Sequence, residues 1–219
     1  MTEHPILFSG EMVRAILDNR KTQTRSLGCL RILKPQPIYS MGQKAYIEAF
    51  CPFGIPGDRL WVRETFQRGW PTDDDGRLQY TDSDGKDTPE HVWFRASYDP
   101  IKQGYVSQLG ALIQGWIDEN DMYQDDIPWR PSIFMPRWAS RITLEITEVR
   151  VQRLQEIDAD DALAEGVDTT PDNLGRFDPV IAYRNLWDSI NAKRGFGWNV
   201  NPWVWALTFK TSANIGGKR

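Results

Sequence analysis

Near the N-terminus, the pattern of apolar and polar positions predicts an amphipathic helix that runs directly into a short basic segment. Apolar side chains recur at the spacing of one helix face, at Met12, Val13, Ile16 and Leu17. Ser9 precedes them as an N-cap, and Asn19 suits the left-handed residue that ends a helix. The residues at 20–25, Arg-Lys-Thr-Gln-Thr-Arg, are polar and β-tolerant, so we expect a helix exit that leads into a strand or a tight turn.

Further along the chain, three segments are predicted to be strands; the second alternates between apolar and polar residues, and the third alternates with aromatic residues on one side. They cover 60–64, 141–151 and 203–209. The alternation of the second segment slips by one position near Glu148, and this predicts a β-bulge. Two more helices are predicted, one from Asp158 to Gly166 and one whose face carries Tyr183, Trp187 and Ile190.

The basic segment after the first helix carries the most distinctive chemistry. A threonine hydroxyl becomes a nucleophile when a neighbouring base accepts its proton, and a lysine serves as that base when burial or a nearby cation lowers its pKa. Lys21 and Thr24 supply such a pair, and Arg20 and Arg25 supply the cations. In an ideal strand the side chains of Lys21 and Thr24 point to opposite faces, so their convergence needs a turn or a bulge. From spacing alone, a solvated basic edge with threonines that satisfy a helix end is the simpler interpretation.

Three segments, taken in order, resemble the ASCH domain family. The family's N-terminal motif is similar to Leu17-x-x-Arg20-Lys21-Thr22-x-Thr24 in this chain. Its glycine–aspartate turn and following strand resemble 57–64, and its central strand and helix resemble 141–151 and 158–167. The resemblance covers about half of the chain and is closest to ASCH proteins of phages and prophages. It implies an α+β fold built on a PUA-like, mostly antiparallel β-barrel with flanking helices.

Small bacterial members of this family include amidohydrolases that deacetylate N4-acetylcytidine with a lysine, a threonine and a glutamate. The resemblance therefore implies that Thr24 attacks the acyl carbonyl, that Lys21 accepts its proton and that Glu165 protonates the leaving amine. We expect substrate contacts from the basic segment and the strand at 60–64, namely from Arg20, Arg25, Trp61, Arg63 and Glu64. An ordinary role in the barrel would explain the last three equally well. This chain departs from the small enzymes in that Arg25 follows Thr24 at once, whereas their arginine lies two residues beyond the second threonine.

Composition and charge limit the alternatives. The 219 residues carry a formal net charge of −4, so the chain as a whole lacks the basic character of a nucleic-acid-binding protein. Local basic groups remain at Arg20, Lys21, Arg25, Arg31 and Lys34, and at Arg137, Arg141, Arg150 and Arg153. The cysteines and histidines are too scattered for a zinc site, so we expect no metal and no cofactor. Without an apolar run of membrane-spanning length or a secretory leader, we expect a cytoplasmic protein with no membrane partner.

The region between 67 and 130 breaks the alternating pattern, and we expect it to be an insertion in a single domain that spans 1–219. Asp-rich turns at 73–76 and 82–85 flank a short predicted strand at 78–80. A further strand is predicted at 91–96 and a helix over 106–119.

Three prolines keep the next segment, 128–139, extended. Its large side chains are too apolar to be left in water, and they are Trp129, Ile133, Phe134, Met135 and Trp138. We therefore expect this segment to lie across the barrel or to close over a pocket. A platform on which nucleobases stack is the alternative.

Two classes of function follow from these patterns. The first is an amidohydrolase that acts on a modified nucleoside or a small acylated base. The second is a non-catalytic module that binds RNA or nucleotides, which the PUA-like resemblance, the arginines and the tryptophans favour. A ribonuclease is a third alternative.

Overall fold

The computed structural model describes residues 1–28, 42–69, 91–99, 104–107, 112–113, 116–117, 123–124, 129–171 and 177–211. The chain forms two compact units. The first contains Met1–Ile6, Ala15–Trp61 and Thr143–Ala213, and the second contains chiefly Leu7–Arg14 and Val62–Ile142. The single domain with an insertion at 67–130 stays a prediction, and the Asp-rich turns and the strand at 78–80 lie outside the described residues.

The strands, in chain order, are β1 (Glu3–Leu7), β2 (Gln23–Ser26), β3 (Arg59–Arg63), β4 (Phe66–Gly69), β5 (His91–Asp99), β6 (Gly104–Ser107), β7 (Leu112–Ile113), β8 (Trp116–Ile117), β9 (Tyr123–Gln124), β10 (Thr143–Arg153) and β11 (Trp203–Thr211). The helices are α1 (Gly10–Leu17), α2 (Gln43–Phe50), α3 (Ala159–Ala164) and α4 (Pro179–Asn191). None of the helices within the described ranges is both long and apolar enough to cross a membrane.

A mixed five-stranded sheet with the order β1-β3-β10-β11-β2 organises the first unit. β10 pairs antiparallel with β3 and β11, and β11 pairs antiparallel with β2. The register of β10 against β11 shifts between Ile146 and Glu148, so the predicted bulge is confirmed. Among the described strands, β1 and β2 form the two edges of this sheet, and no closed barrel is formed. The α+β class is therefore shown, whereas the PUA-like barrel stays a prediction.

Local signals place α1, α3 and α4 where the sequence predicted them. Asn19 has a φ of 57°, which confirms the left-handed end of α1. The side chain of Asp158 accepts a hydrogen bond from the backbone N–H of Asp161 at 2.7 Å and caps α3. Tyr183, Trp187 and Ile190 all lie in α4, so the predicted helix is confirmed; Tyr183 and Trp187 are buried, and Ile190 is exposed.

The helices α3 and α4 and the strand β11 share an apolar core in the first unit. Its buried members are Leu27, Leu154, Ile157, Ala162, Val167, Tyr183, Trp187 and Val204. This core fixes α3 beside the sheet, and α3 carries half of the site described below.

The second unit contains a four-stranded sheet with the order β4-β5-β6-β7 and a separate pair of strands, β8 and β9. The predicted strand at 91–96 is confirmed as part of β5. The described residues of 106–119 lie in β6, β7 and β8, so the helix predicted there is wrong. The apolar spacing that suggested a helix also fits short, consecutive strands.

The proline-rich segment, described over 129–139, buries only part of the large side chains that were expected to be buried. Each of its two short 3₁₀ turns, Ser132–Phe134 and Arg137–Ala139, follows a proline. Met135 and Ala139 are buried with Phe66, Val92 and Phe94, but Ile133, Phe134 and Trp138 are 58%, 70% and 59% exposed. Burial was therefore the wrong expectation for these three side chains. Tight turns alternate the direction of the side chains, so one or two residues anchor the segment while the others face solvent.

Candidate functional site

The basic segment after α1 docks on the end of α3. The backbone N–H groups of Arg20 and Lys21 both donate to the carbonyl of Ala15, at 2.8 and 2.9 Å, and so turn the chain back over the last turn of α1. The N–H of Thr22 then donates to the carbonyl of Ala164 at 2.8 Å. These bonds bring the side chain of Lys21 to the residue that follows α3, Glu165.

Lys21 and Glu165 form a buried ion pair although 144 positions separate them in the sequence. The ammonium of Lys21 lies 2.7 Å from Oε2 of Glu165 and also donates to the Glu165 carbonyl at 2.9 Å. Gly166 follows with a φ of 77°, and a Cβ added to it would lie 2.8 Å from the Cβ of Lys21. A glycine therefore permits both the turn at the end of α3 and the close approach of Lys21.

Arg25 joins this pair from β2. Its Nη1 donates to Glu165 Oε1 at 3.2 Å and to Gln23 Oε1 at 2.6 Å, and its Nη2 donates to Asp161 Oδ2 at 2.5 Å. Gln23 Nε2 donates to the other oxygen of Asp161 at 2.9 Å. Every second residue from Lys21 to Arg25 thus reaches α3, as the alternation of an extended segment requires. We call Lys21, Arg25, Asp161 and Glu165 the buried charge cluster.

The buried charge cluster contains two cations and two carboxylates in a setting that excludes water. The side chains of Lys21 and Arg25 are 0% exposed, that of Glu165 is 2% exposed and that of Asp161 is 15% exposed. Arg150 reinforces Asp161 from the sheet with a bond of 3.1 Å from Nη2 to Oδ1. Each carboxylate therefore has two cationic partners, Lys21 and Arg25 for Glu165 and Arg25 and Arg150 for Asp161.

Burial lowers the pKa of Lys21 below its ordinary value of 10.5; the charge of Glu165 opposes this shift, and that of Arg25 adds to it. Burial and the charge of Glu165 raise the pKa of Tyr183, whose ring lies 5.9 Å from the guanidinium carbon of Arg25. A lysine that loses its proton more readily than usual, in contact with a carboxyl group, is suited to proton transfer.

Three of the predicted site residues, Lys21, Arg25 and Glu165, therefore meet in space. Thr24 does not share their face of β2. It lies between Gln23 and Arg25 and pairs with Leu207 in a register that is unbroken over Gln23–Ser26, so alternation directs its side chain to the opposite face. The bulge that would bring its hydroxyl to Lys21 is not present in β2.

Arg20 lies at the exposed edge of the same segment. Its Nη1 donates to the carbonyl of Gly166 at 3.3 Å, and its Nη2 donates to Asp18 at 3.2 Å. Its predicted role in substrate binding stays a prediction.

The other three predicted residues have structural partners. Trp61 is buried in the first unit. In the second unit, Glu64 accepts two bonds of 2.9 Å from Nε and Nη2 of Arg141, and Arg63 Nε donates to the carbonyl of Met135 at 3.2 Å. Burial raises the pKa of Glu64, and the pairing with Arg141 opposes this shift. These contacts fit the alternative interpretation of ordinary roles in the fold.

Asp161, Gln23 and Arg150 were not predicted as site residues. Two spacings in the sequence point to the first two: Lys21, Gln23 and Arg25 are two apart on an extended segment, and Asp161 and Glu165 are four apart on one helix face. Only the packing of β2 beside α3 shows that the side chains of these two sets of residues contact each other.

No protein-family model matches this chain, and neither the curated proteins nor the solved structures that were searched contain a match. Within the described residues, no group of three or more His, Cys, Asp or Glu side chains is placed to hold a metal ion. The motif at 17–24 and the geometry of the buried charge cluster are therefore the features that bear on function.

Proposed function

We propose that this protein is a member of the ASCH family, with its PUA-like barrel, that hydrolyses the acyl amide of N4-acylated cytosine nucleosides such as N4-acetylcytidine. One observation carries the proposal. The resemblance implied that Lys21 and Glu165 act together, and their side chains lie 2.7 Å apart although no local sequence signal connects them.

In the proposed reaction, Lys21 first passes its proton to Glu165 across their contact and then accepts the proton of the nucleophile as the nucleophile attacks the acyl carbonyl. Glu165 then donates the proton it received to the leaving amine of the cytosine ring. The contact between the two side chains allows the proton taken up by Lys21 to return to Glu165. Overall, one water molecule is consumed, and the products are a carboxylic acid and the free cytosine nucleoside.

The nucleophile is the part of this mechanism that depends on the resemblance alone. Thr24 fills this role in the family motif, and water must then hydrolyse an acyl-threonine ester. Because alternation directs Thr24 away from Lys21, a water molecule that Lys21 activates directly is the competing nucleophile. Both routes use Lys21 and Glu165 in the same way.

Substrate access is a further requirement of the proposal, because the side chains of the buried charge cluster are covered. A substrate reaches Lys21 only when the residues that cover the ion pair open, as lids and loops do in many enzymes. A fully buried ion pair is also a common structural feature, and removal of one partner destabilises a fold. The test must therefore separate loss of activity from loss of folding.

The experiment measures turnover of N4-acetylcytidine and a panel of other N4-acylcytosines by purified protein. The variants are Lys21→Met, Glu165→Gln and Thr24→Val, and Thr22→Val is the matched control because Thr22 is an exposed threonine of the same motif. We expect Lys21→Met and Glu165→Gln to lower kcat by about 10²–10⁴-fold while circular dichroism shows folded protein. Thr22→Val should be as active as the unmodified chain.

Thr24→Val then distinguishes the two nucleophiles. Loss of turnover in folded Thr24→Val supports the threonine, and retained turnover supports water. Absence of turnover by the unmodified protein on the whole panel would contradict the proposal, as would full activity of Lys21→Met.

Four of the arginines that suggested an RNA-binding module have partners within the fold. Arg25 and Arg150 bind Asp161, Arg141 binds Glu64, and Arg153 lies 4.7 Å above the ring of Trp203. Arg31 and Lys34 lie outside the described residues. This alternative and a ribonuclease function stay predictions.

A further inference from the structure

The second unit contains a carboxylate–guanidinium pair that lies outside the buried charge cluster. Glu64 accepts one hydrogen bond of 2.9 Å from Nε of Arg141 and another of 2.9 Å from Nη2. The side chain of Glu64 is 2% exposed, whereas that of Arg141 is 20% exposed. The pair therefore has a buried anionic end and a cationic end that solvent reaches.

The guanidinium of Arg141 is held in one orientation by three neighbours. Its carbon lies 4.0 Å from the centre of the ring of Phe94, which is buried. Its Nη1 donates to Oγ of Ser97 at 2.6 Å, and Glu64 binds the edge formed by Nε and Nη2. Because the group is already fixed, a ligand that binds it would lose little additional conformational entropy.

Hydrogen-bond donors remain at this guanidinium. An arginine side chain has five N–H groups, and the bonds to Glu64 and Ser97 use three of them. One N–H on Nη1 and one on Nη2 are left. The oxygen of Ser97 accepts the bond from Nη1, so its own O–H proton points elsewhere. Within the described part of the chain, none of these three donors has an acceptor, and Ser97 is only half-buried.

These donors suit a small ligand with anionic oxygen atoms. A guanidinium edge matches the planar carboxylate group with two parallel hydrogen bonds, and the serine hydroxyl supplies a third donor beside it. Glu64 already balances the charge of Arg141, so a bound monoanion adds one uncompensated negative charge and a dianion adds two. In a partly buried setting the second charge is costly, which favours a carboxylate over a phosphate dianion.

We propose that Arg141 and Ser97 bind the carboxylate group of a small organic acid, and that Glu64 is the residue that orients Arg141. In this arrangement Glu64 does not contact the ligand, in contrast to the substrate contact predicted from the sequence. The proposal does not depend on the proposed hydrolase function, because none of its residues belongs to the buried charge cluster.

The test is a titration of isotope-labelled protein with benzoate, benzamide and inorganic phosphate at constant ionic strength, followed by NMR. A ligand of this size binds at about 1 mM, and we expect saturable shifts of the Arg141 Nε–H and Ser97 backbone N–H signals in this range. Benzamide has the same ring without the charge and should bind at least about tenfold more weakly. Ser97→Ala should weaken benzoate binding by about 2- to 10-fold, because one neutral donor is lost.

Removal of the arginine needs a compensating change. Arg141→Gln alone leaves the buried carboxylate of Glu64 without its partner and destabilises the fold, so the variant is Glu64→Leu combined with Arg141→Met. Apolar side chains of similar volume replace a buried ion pair with little loss of stability. This double variant should bind benzoate at least about tenfold more weakly. Ser132→Ala and Arg130→Gln change a half-buried serine and an exposed arginine of the same unit, and these controls should leave binding unchanged.

Three results would overturn the proposal. The first is the absence of saturable benzoate binding by the unmodified protein up to about 10 mM. The second is benzoate binding that the folded double variant retains, because the ligand then binds elsewhere. The third is tighter binding of phosphate than of benzoate, because the site would then not select a carboxylate. If the double variant does not fold, unchanged binding by Ser97→Ala overturns the proposal in its place.

Discussion

The two members of the Lys21–Glu165 pair should differ in how much they contribute to stability. Glu165 accepts bonds from two buried cations, Lys21 at 2.7 Å and Arg25 at 3.2 Å. The change Glu165→Gln therefore removes the negative charge that Lys21 and Arg25 share, while Arg25 keeps its bond to Asp161, which also binds Arg150. In Lys21→Met, Glu165 keeps Arg25, and the methionine fills the space of the lysine methylenes.

The expected magnitudes follow from these contacts. Breaking a buried ion pair so that charge is left uncompensated costs about 3–5 kcal/mol, and we expect Glu165→Gln to fall in this range. Lys21→Met removes one hydrogen-bond donor from the buried carboxylate of Glu165, which costs about 1–3 kcal/mol of stability. The double variant should be less destabilised than the sum of the single changes by about 1–3 kcal/mol, because the two residues are in direct contact.

Urea unfolding, followed by tryptophan fluorescence and circular dichroism, measures these free energies. Lys210→Met is the control, since Lys210 forms an exposed pair with Glu145 at 3.1 Å and should contribute less than about 1 kcal/mol. The reasoning is refuted if Glu165→Gln costs no more than Lys210→Met. It is also refuted if Lys21→Met costs more than Glu165→Gln, because the second cation on Glu165 would then have no effect.

Three other predictions concern the turn, the cap and the pH dependence of the same region. Gly166→Ala should lower the free energy of unfolding by more than Gly195→Ala, as measured by urea unfolding. Both glycines have positive φ, but only the methyl group of an alanine at 166 would collide with Lys21. Equal losses in the two variants would contradict this prediction. Asp158→Ala should cost about 1 kcal/mol through the lost cap, whereas Asp160→Ala, in the exposed first turn of α3, should cost clearly less. The pKa of Lys21 in the folded protein lies below its ordinary value of 10.5. Between these two pKa values the unfolded chain binds more protons than the folded protein, so the free energy of unfolding, compared with that of Lys21→Met, should rise with pH towards 10.5. If urea unfolding shows that the difference between the two proteins stays flat or falls with pH, the predicted sign is contradicted.

The sequence by itself was sufficient for features that depend on a few neighbouring residues. Asp158 caps α3, Asn19 ends α1, and the alternation of β10 slips where its register against β11 shifts. A cap, a left-handed residue and a bulge are each determined by local backbone geometry and hydrogen bonding. The local pattern fails at 106–119, where its apolar spacing fits both a helix and successive short strands.

The candidate site was only partly accessible from the sequence. The motif at 17–24 and its resemblance to a family singled out Lys21 and Glu165, and the structure brings them together. The same motif singled out Thr24, although β2 has no bulge to turn its side chain towards Lys21. Asp161 was missed, because its spacing from Glu165 has meaning only once α3 faces β2.

Only the tertiary structure shows which charged side chains are buried and which apolar side chains are exposed to solvent. Lys21 and Arg25 look like a solvated basic edge in the sequence but are fully buried, whereas Phe134 and Trp138 look like core residues but are exposed. Burial depends on which distant elements pack against a segment, and local spacing carries no information about those partners. A charged side chain is buried where the fold supplies its counter-charge from elsewhere in the chain, as α3 supplies Asp161 and Glu165 to the basic segment.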